Sequence, residues 1–197
     1  MKNLTLLFLL ISSIVYSQKK TNPKLDFHPD ITIAFITNSY FGDNYLAQGH
    51  QKQSVGFQIK SDWLHYDNFS LGFGVEKSTQ KVTDFSLGGN IDKTNSNSAI
   101  LFLSYKITLN SKLCISPEAS YGGIELRQKS GGKFYGYQAG RRYGLGTNFN
   151  FELNKNAALY SNISYNYYQL NTRTTEEFID YFNRSNAISV SLGIKFY

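Results

Sequence analysis

The chain has one cysteine, one tryptophan, one methionine and three prolines in 197 residues. A lone Cys114 excludes an intramolecular disulfide, so the fold rests on hydrogen bonding and packing. In its apolar stretch it reads as a packing residue rather than a thiol catalyst. Charge is also scarce: charged residues make up 17% of the chain, against about 25% in ordinary soluble domains. The net charge of +6 is scattered, with no basic stripe inside a recognised module, which argues against nucleic acid as a partner. Beyond the amino terminus no apolar run approaches the roughly 20 residues of a spanning helix. With a mean hydropathy of −0.33, this excludes a bundle of membrane helices. It does not exclude a barrel, which hides its apolar band in alternation. What is abundant is aromatic: 15 Tyr and 15 Phe bring the aromatic share to 16%, a load that favours β-structure.

The first residues have the form of an export signal. Lys2 precedes an apolar run from Leu4 to Tyr16, and Ser17 supplies a small residue before Gln18-Lys19-Lys20. This predicts a signal peptide over 1–17. No Cys follows the apolar run, so a lipid-anchored terminus is not expected. Residues 18–30, polar and containing Pro23 and Pro29, read as a short periplasmic leader, with a barrel over 31–197.

From Ile31 onward the dominant signal is period-two alternation. Val55, Phe57, Ile59 and Trp63 share one face, and Ser54, Gly56, Gln58, Lys60 and Asp62 the other. The same pattern recurs over Phe69 to Glu76, Ala99 to Thr108, Arg142 to Glu152, Leu159 to Tyr167 and Ile188 to Phe196. Ile31 to Tyr40 is apolar on both faces, and Leu113 to Tyr121 contains Pro117, which removes a ladder donor and suggests a bulge or an end. Counting both gives eight strands, an even number as expected of single-chain bacterial barrels.

Connections alternate in length. Asp67-Asn68, Asn110-Ser111 and Asn154-Lys155-Asn156 read as tight turns, while long loops are expected near 41–53, 77–98, 122–133 and 171–185. The pattern predicts an all-β fold: an eight-stranded antiparallel up-and-down transmembrane β-barrel, long loops on its outer rim. A soluble lipocalin-like barrel binding a small apolar ligand is the alternative. Its outer surface would be densely charged, whereas here one face is bulky and apolar and the other is mostly Gly, Ser and Asn, small enough for a narrow interior.

The export signal, the alternating connections and a last strand ending Gly193-Ile194-Lys195-Phe196-Tyr197 resemble the outer-membrane β-barrel domain family of small eight-stranded bacterial barrels. The resemblance covers nearly all of the chain after the export signal. It implies a location in the cell outer membrane, contact with outer-membrane lipid, and delivery by the barrel-assembly machinery. The assembly signal would fall on Val190, Leu192, Ile194, Phe196 and Tyr197. One departure is visible: alternation puts Phe196 on the apolar face and Tyr197 one residue beyond it, whereas the family usually ends on the outward aromatic.

Eight charged residues fall on the polar parity: Lys60, Asp62, Glu76, Lys106, Glu118, Arg142, Glu152 and Lys195. Equal numbers of each sign favour a neutralised salt-bridge plug over an ion path, because buried charges need partners. Catalysis is not expected. Of His28, His50 and His65, only His50 falls on an outer loop, and no His-x-Ser pairing accompanies it. No metal is expected either, since three His and one Cys far apart in sequence form no ligand-spaced cluster, and no cofactor motif is present. The function predicted is structural, adhesive or accessory at the cell envelope, with an extracellular partner at the loops and a narrow channel as a further alternative.

Overall fold

The computed structural model describes residues 25–88 and 90–197; the predicted signal peptide and residues 18–24 lie outside them. Nine strands form one antiparallel sheet: β1 (Leu25–Phe41), β2 (Gln53–Tyr66), β3 (Phe69–Lys81), β4 (Lys93–Tyr105), β5 (Ile107–Thr108), β6 (Leu113–Ser130), β7 (Lys133–Asn154), β8 (Ala157–Asn171) and β9 (Arg184–Phe196). β5 is a two-residue continuation of β4. β4 pairs with β6 as far as Ser104↔Glu118, and β5 resumes at Ile107↔Ile115. Pro117 lies in that gap, where its missing N–H leaves a ladder bond unmade. The ring therefore has eight members and is closed by β1 against β9, from Ile31↔Phe196 to Phe41↔Asn186.

Closure curves the sheet hard, and glycines at inward positions permit it. A Cβ on Gly193 would lie 2.0 Å from the Ile33 carbonyl oxygen, and one on Gly122 would lie 2.0 Å from that of Ala99. At such contacts only glycine lets the neighbouring backbone approach.

Alternation sorts the side chains as a barrel requires. Outward positions such as Phe35, Leu101, Leu145, Ile163, Val190 and Leu192 are exposed, while their neighbours Ala34, Ile100, Phe102, Asn162, Ser189 and Ser191 are buried. An apolar belt thus encircles the outside, and aromatic rings flank it. Tyr121, Tyr143 and Tyr167 form a row across three strands with centroids 5.2 and 6.2 Å apart. Toward the opposite rim Phe69 meets Tyr105, and Trp63 meets Phe73, each pair with centroids 4.8 Å apart.

Several boundaries differ from the sequence expectation. β1 begins at Leu25, so the second half of the expected leader is strand. β3 and β4 run on to Lys81 and from Lys93, which shortens the expected 77–98 loop. The expected 122–133 loop is instead a long hairpin: β6 continues to Ser130 and β7 starts at Lys133. Gly131 and Gly132 turn it with φ of 52° and 78°, the two successive positive values of a type I′ hairpin turn. Polar composition read as loop because strands standing clear of lipid need no apolar face. Short helices occupy the other connections: α1 (Tyr45–Gln48), α2 (Phe85–Gly88), a 3-10 turn (Glu176–Phe178) and α3 (Ile179–Asn183).

Arginine at Leu192, in the middle of the belt, should cost about 2–4 kcal/mol of folding free energy in a bilayer, and arginine at Leu153 near the rim about 0–1 kcal/mol. Urea unfolding of the two variants in lipid vesicles, read by tryptophan fluorescence, measures the difference.

Candidate functional site: the barrel interior and its two ends

The interior is stacked in tiers. Nearest the short-turn end, Lys195 Nζ lies 3.1 Å from Asp30 Oδ2 and also bonds the Asp62 carboxylate. Next, Lys60 pairs with Glu118, and its ammonium sits 4.1 Å from the centroid of the Phe102 ring. Asn148 donates to the same Glu118 oxygen at 2.8 Å and accepts from the Tyr160 hydroxyl at 3.0 Å. Above these, Arg142 pairs with Glu76 and donates to Asn166 Oδ1 at 3.0 Å. Asn166 donates in turn to Ser189 Oγ at 2.7 Å, and Ser189 donates to Asn38, which donates to Ser54 at 3.1 Å. Lys60, Glu76, Asp62 and Arg142 are each less than a tenth exposed.

Six of the eight charges read from the sequence thus meet as three ion pairs. The other two do not join them among the described residues. Lys106 is exposed in the break between β4 and β5, where its amide donates to the Asn68 carbonyl. Glu152 accepts from the Tyr197 hydroxyl at 2.7 Å near the rim. Of the expected assembly signal, Val190, Leu192, Ile194 and Phe196 all point outward and are exposed. Tyr197 instead lies beyond β9, with its ring 5.5 Å from Lys195 Nζ.

The long-loop end is closed by an apolar cap. Tyr40, Ile124, Leu126, Tyr168 and Leu170 from the strands pack with Tyr45 and Leu46 of α1, and Tyr181 and Phe182 of α3 lean on them. Asn44 anchors α1. Its Oδ1 accepts from the Ala47 amide and from Ser185 Oγ on β9, while its amide nitrogen donates to the Phe41 carbonyl. His50 locks the far side. The Tyr45 carbonyl can only accept, so Nδ1 carries the proton toward it at 3.3 Å, and Nε2 takes the Thr94 hydroxyl at 2.8 Å. Burial lowers the His50 pKa below its usual 6.5. Tyr45-Leu46 and Tyr181-Phe182 are adjacent pairs within connections, with no strand period to mark them as parts of one cap.

The short-turn end holds a cavity of about 420 Å³ lined in part by His28, Asp30, His65, Lys106, Lys195 and Tyr197. Here the expectation of no ligand cluster is corrected. The ligating atoms of His28, Asp30 and His65 lie within 4.8 Å of one another. Antiparallel pairing of β1 with β2 sets Asp26 opposite His65, and a register shift between Phe27 and Asp30 brings His28 over it. Asp30 and His28 were read as leader because a strand start inside a Pro-containing polar stretch has no alternation to announce it. A His-Ser contact also exists, Ser70 Oγ to His65 Nδ1 at 3.0 Å, at the end opposite the long loops.

Closed ring, apolar belt, aromatic girdles and charged interior together settle the architecture. The fold is that of a small outer-membrane β-barrel. No protein-family model matches the chain, and no curated protein sequence does. Solved structures do. Neisserial surface protein A superposes with a TM-score of 0.60 at 15% identity, covering 88% of this chain and 98% of that one. The attachment invasion locus protein Ail of Yersinia pestis gives 0.53 at 14%, covering 87% and 98%. The outer membrane protein AlkL in lipid bilayers gives 0.50 at 15%, covering 91% and 93%. The soluble alternative fails on the outer face of this barrel, where exposed Leu, Ile, Val and Phe replace the charges that water would require.

Two outcomes follow. Arg142→Met should cost about 3–5 kcal/mol by stranding Glu76, and adding Glu76→Leu should recover most of it, because an apolar pair of similar volume replaces a desolvated ion pair; urea midpoints in vesicles test this. At His50 the folded pKa is depressed, so the folded state resists a proton that the unfolded state accepts. Protection of the α1 amides, corrected for intrinsic exchange, should therefore fall as pH drops through about 6.5, and His50→Gln should remove that dependence.

Proposed function

We propose that the protein is a non-catalytic barrel resident in the outer membrane, sealed to ions, that presents its long-loop rim outside the cell in an adhesive or accessory role. The observation that carries the reading is the double closure of the interior, three ion-paired tiers beneath an apolar cap. Ion conduction needs a continuous wet path, and a cap of Tyr, Leu and Phe side chains opposes one.

The β6–β7 hairpin is the feature best suited to contact. It stands beyond the belt and exposes Phe134, Tyr135 and Tyr137 beside Arg127, Lys129 and Lys133. Exposed aromatic and basic side chains on a rigid support are the composition of binding surfaces, and loops on a stable scaffold are where such function concentrates. Delivery would use the barrel-assembly machinery, recognising the outward face of β9.

Cysteine scanning and conductance test both halves. A Lys133→Cys variant should react with a membrane-impermeant maleimide on intact cells, and Lys155→Cys should react only after lysis; the reverse result would overturn the orientation. Purified protein in planar bilayers should give no steady current, and stable single-channel openings would refute the seal. Cells carrying Phe134→Ser with Tyr137→Ser should adhere to polystyrene less than wild-type cells, at equal surface amounts of protein.

A further inference from the structure

We infer that the short-turn end carries a site for Zn²⁺ or a similar borderline divalent transition metal, formed by His28, Asp30 and His65. It lies at the opposite end of the barrel from the loops and does not depend on the adhesive reading.

Asp30 is the starting point. It is 4% exposed, and only Oδ2 is satisfied, by Lys195. Oδ1 is buried without a hydrogen-bond partner, 3.3 Å from His28 Nε2. A buried carboxylate oxygen left open is costly, and this one is aimed at two imidazoles. The charge balance points the same way. Lys60, Arg142 and Lys195 face four carboxylates, Asp30, Asp62, Glu76 and Glu118, so the interior has one negative charge in excess. Asp30 stands where a cation would offset it.

His28 already has the carboxylate outer partner that metal-bound histidines use. His28 Nδ1 is 3.3 Å from Asp26 Oδ2, which leaves Nε2 on the Asp30 side. His65 Nε2 donates to the His28 carbonyl oxygen at 3.2 Å and Nδ1 accepts from Ser70 Oγ at 3.0 Å, so metal binding at Nε2 moves the ring proton to Nδ1, with Ser70 Oγ as its acceptor. The two rings stack with centroids 4.2 Å apart. Metal bonds of about 2.0–2.2 Å require the three ligand atoms to draw closer than their present 4.8 Å limit. His28, half exposed at the strand bulge, is the side chain free to make that move. Two nitrogens and one carboxylate oxygen suit Zn²⁺, Ni²⁺ or Cu²⁺ and not Mg²⁺ or Ca²⁺, which prefer all-oxygen shells. A fourth position faces the cavity.

Isothermal titration of ZnCl₂ into the tag-free, folded barrel in detergent micelles tests the site. One equivalent should bind, with Mg²⁺ giving no heat. His28→Ala and His65→Ala should each weaken binding by about tenfold or more, as should Asp30→Asn. His50→Ala, at the other end, should bind as wild type does. The two histidine variants decide the matter if Asp30→Asn does not fold, since neither ring is fully buried. Absence of zinc binding by the wild-type barrel would overturn the site. Unchanged binding in both histidine variants would overturn it equally.

Discussion

Inside a bilayer an unpaired peptide N–H or C=O has no water to turn to, so a chain that crosses with strands must pair every strand on both sides. Closure of β1 onto β9 is how this chain meets that demand, and most other features follow from it. Eight strands make a narrow ring whose interior holds side chains rather than a water column. The sharp curvature explains the inward glycines at points of close backbone approach, and the lipid outside explains why Leu, Ile, Val and Phe are exposed in bulk.

A narrow interior sets its own problem, because the inward face must be filled with groups that satisfy one another. The chain solves it by tiers: lysine or arginine against carboxylate, with Asn and Ser side chains relaying the remaining hydrogen bonds from Asn148 to Glu118 and from Arg142 through Asn166 and Ser189 to Asn38. Such pairs do not add much stability over apolar packing, but removing one partner leaves a charge with nowhere to go. At the long-loop end the solution changes from ions to an apolar cap. The short α1 helix folds inward, its first turn fixed by Asn44 and by His50, which bonds the Tyr45 carbonyl. The two ends are therefore unlike, one dry and one open with titratable groups around a cavity.

Much of the fold was legible in the sequence because strand alternation reports directly on a two-faced environment. Lys60, Asp62, Glu76, Glu118, Arg142 and Lys195 were assigned to the interior by parity alone, and the ring places each of them there. Legibility failed where the environment stopped being two-faced. Above the bilayer the outward side of β6 and β7 meets water instead of lipid and needs no apolar face, so the hairpin read as loop although Ile124 and Leu126 turn inward to the cap. At the start of β1 a proline and a bulge interrupt the period, so Asp30 and His28 read as leader. Lys106 and Glu152 keep the inward parity but lie at strand breaks or ends, where parity no longer fixes a partner.

By itself the sequence determined the class of fold, the number of strands in the ring and, in the strands with unlike faces, which side chains share the apolar face. These are local properties, set by a period of two residues and by the chemistry of adjacent side chains. Only the tertiary structure decided which charge meets which, that α1 and α3 stop the long-loop end, and that His28, Asp30 and His65 converge. Those contacts join residues far apart in sequence through strand register and bulges, and register across long loops is a property of the closed ring that no local pattern encodes.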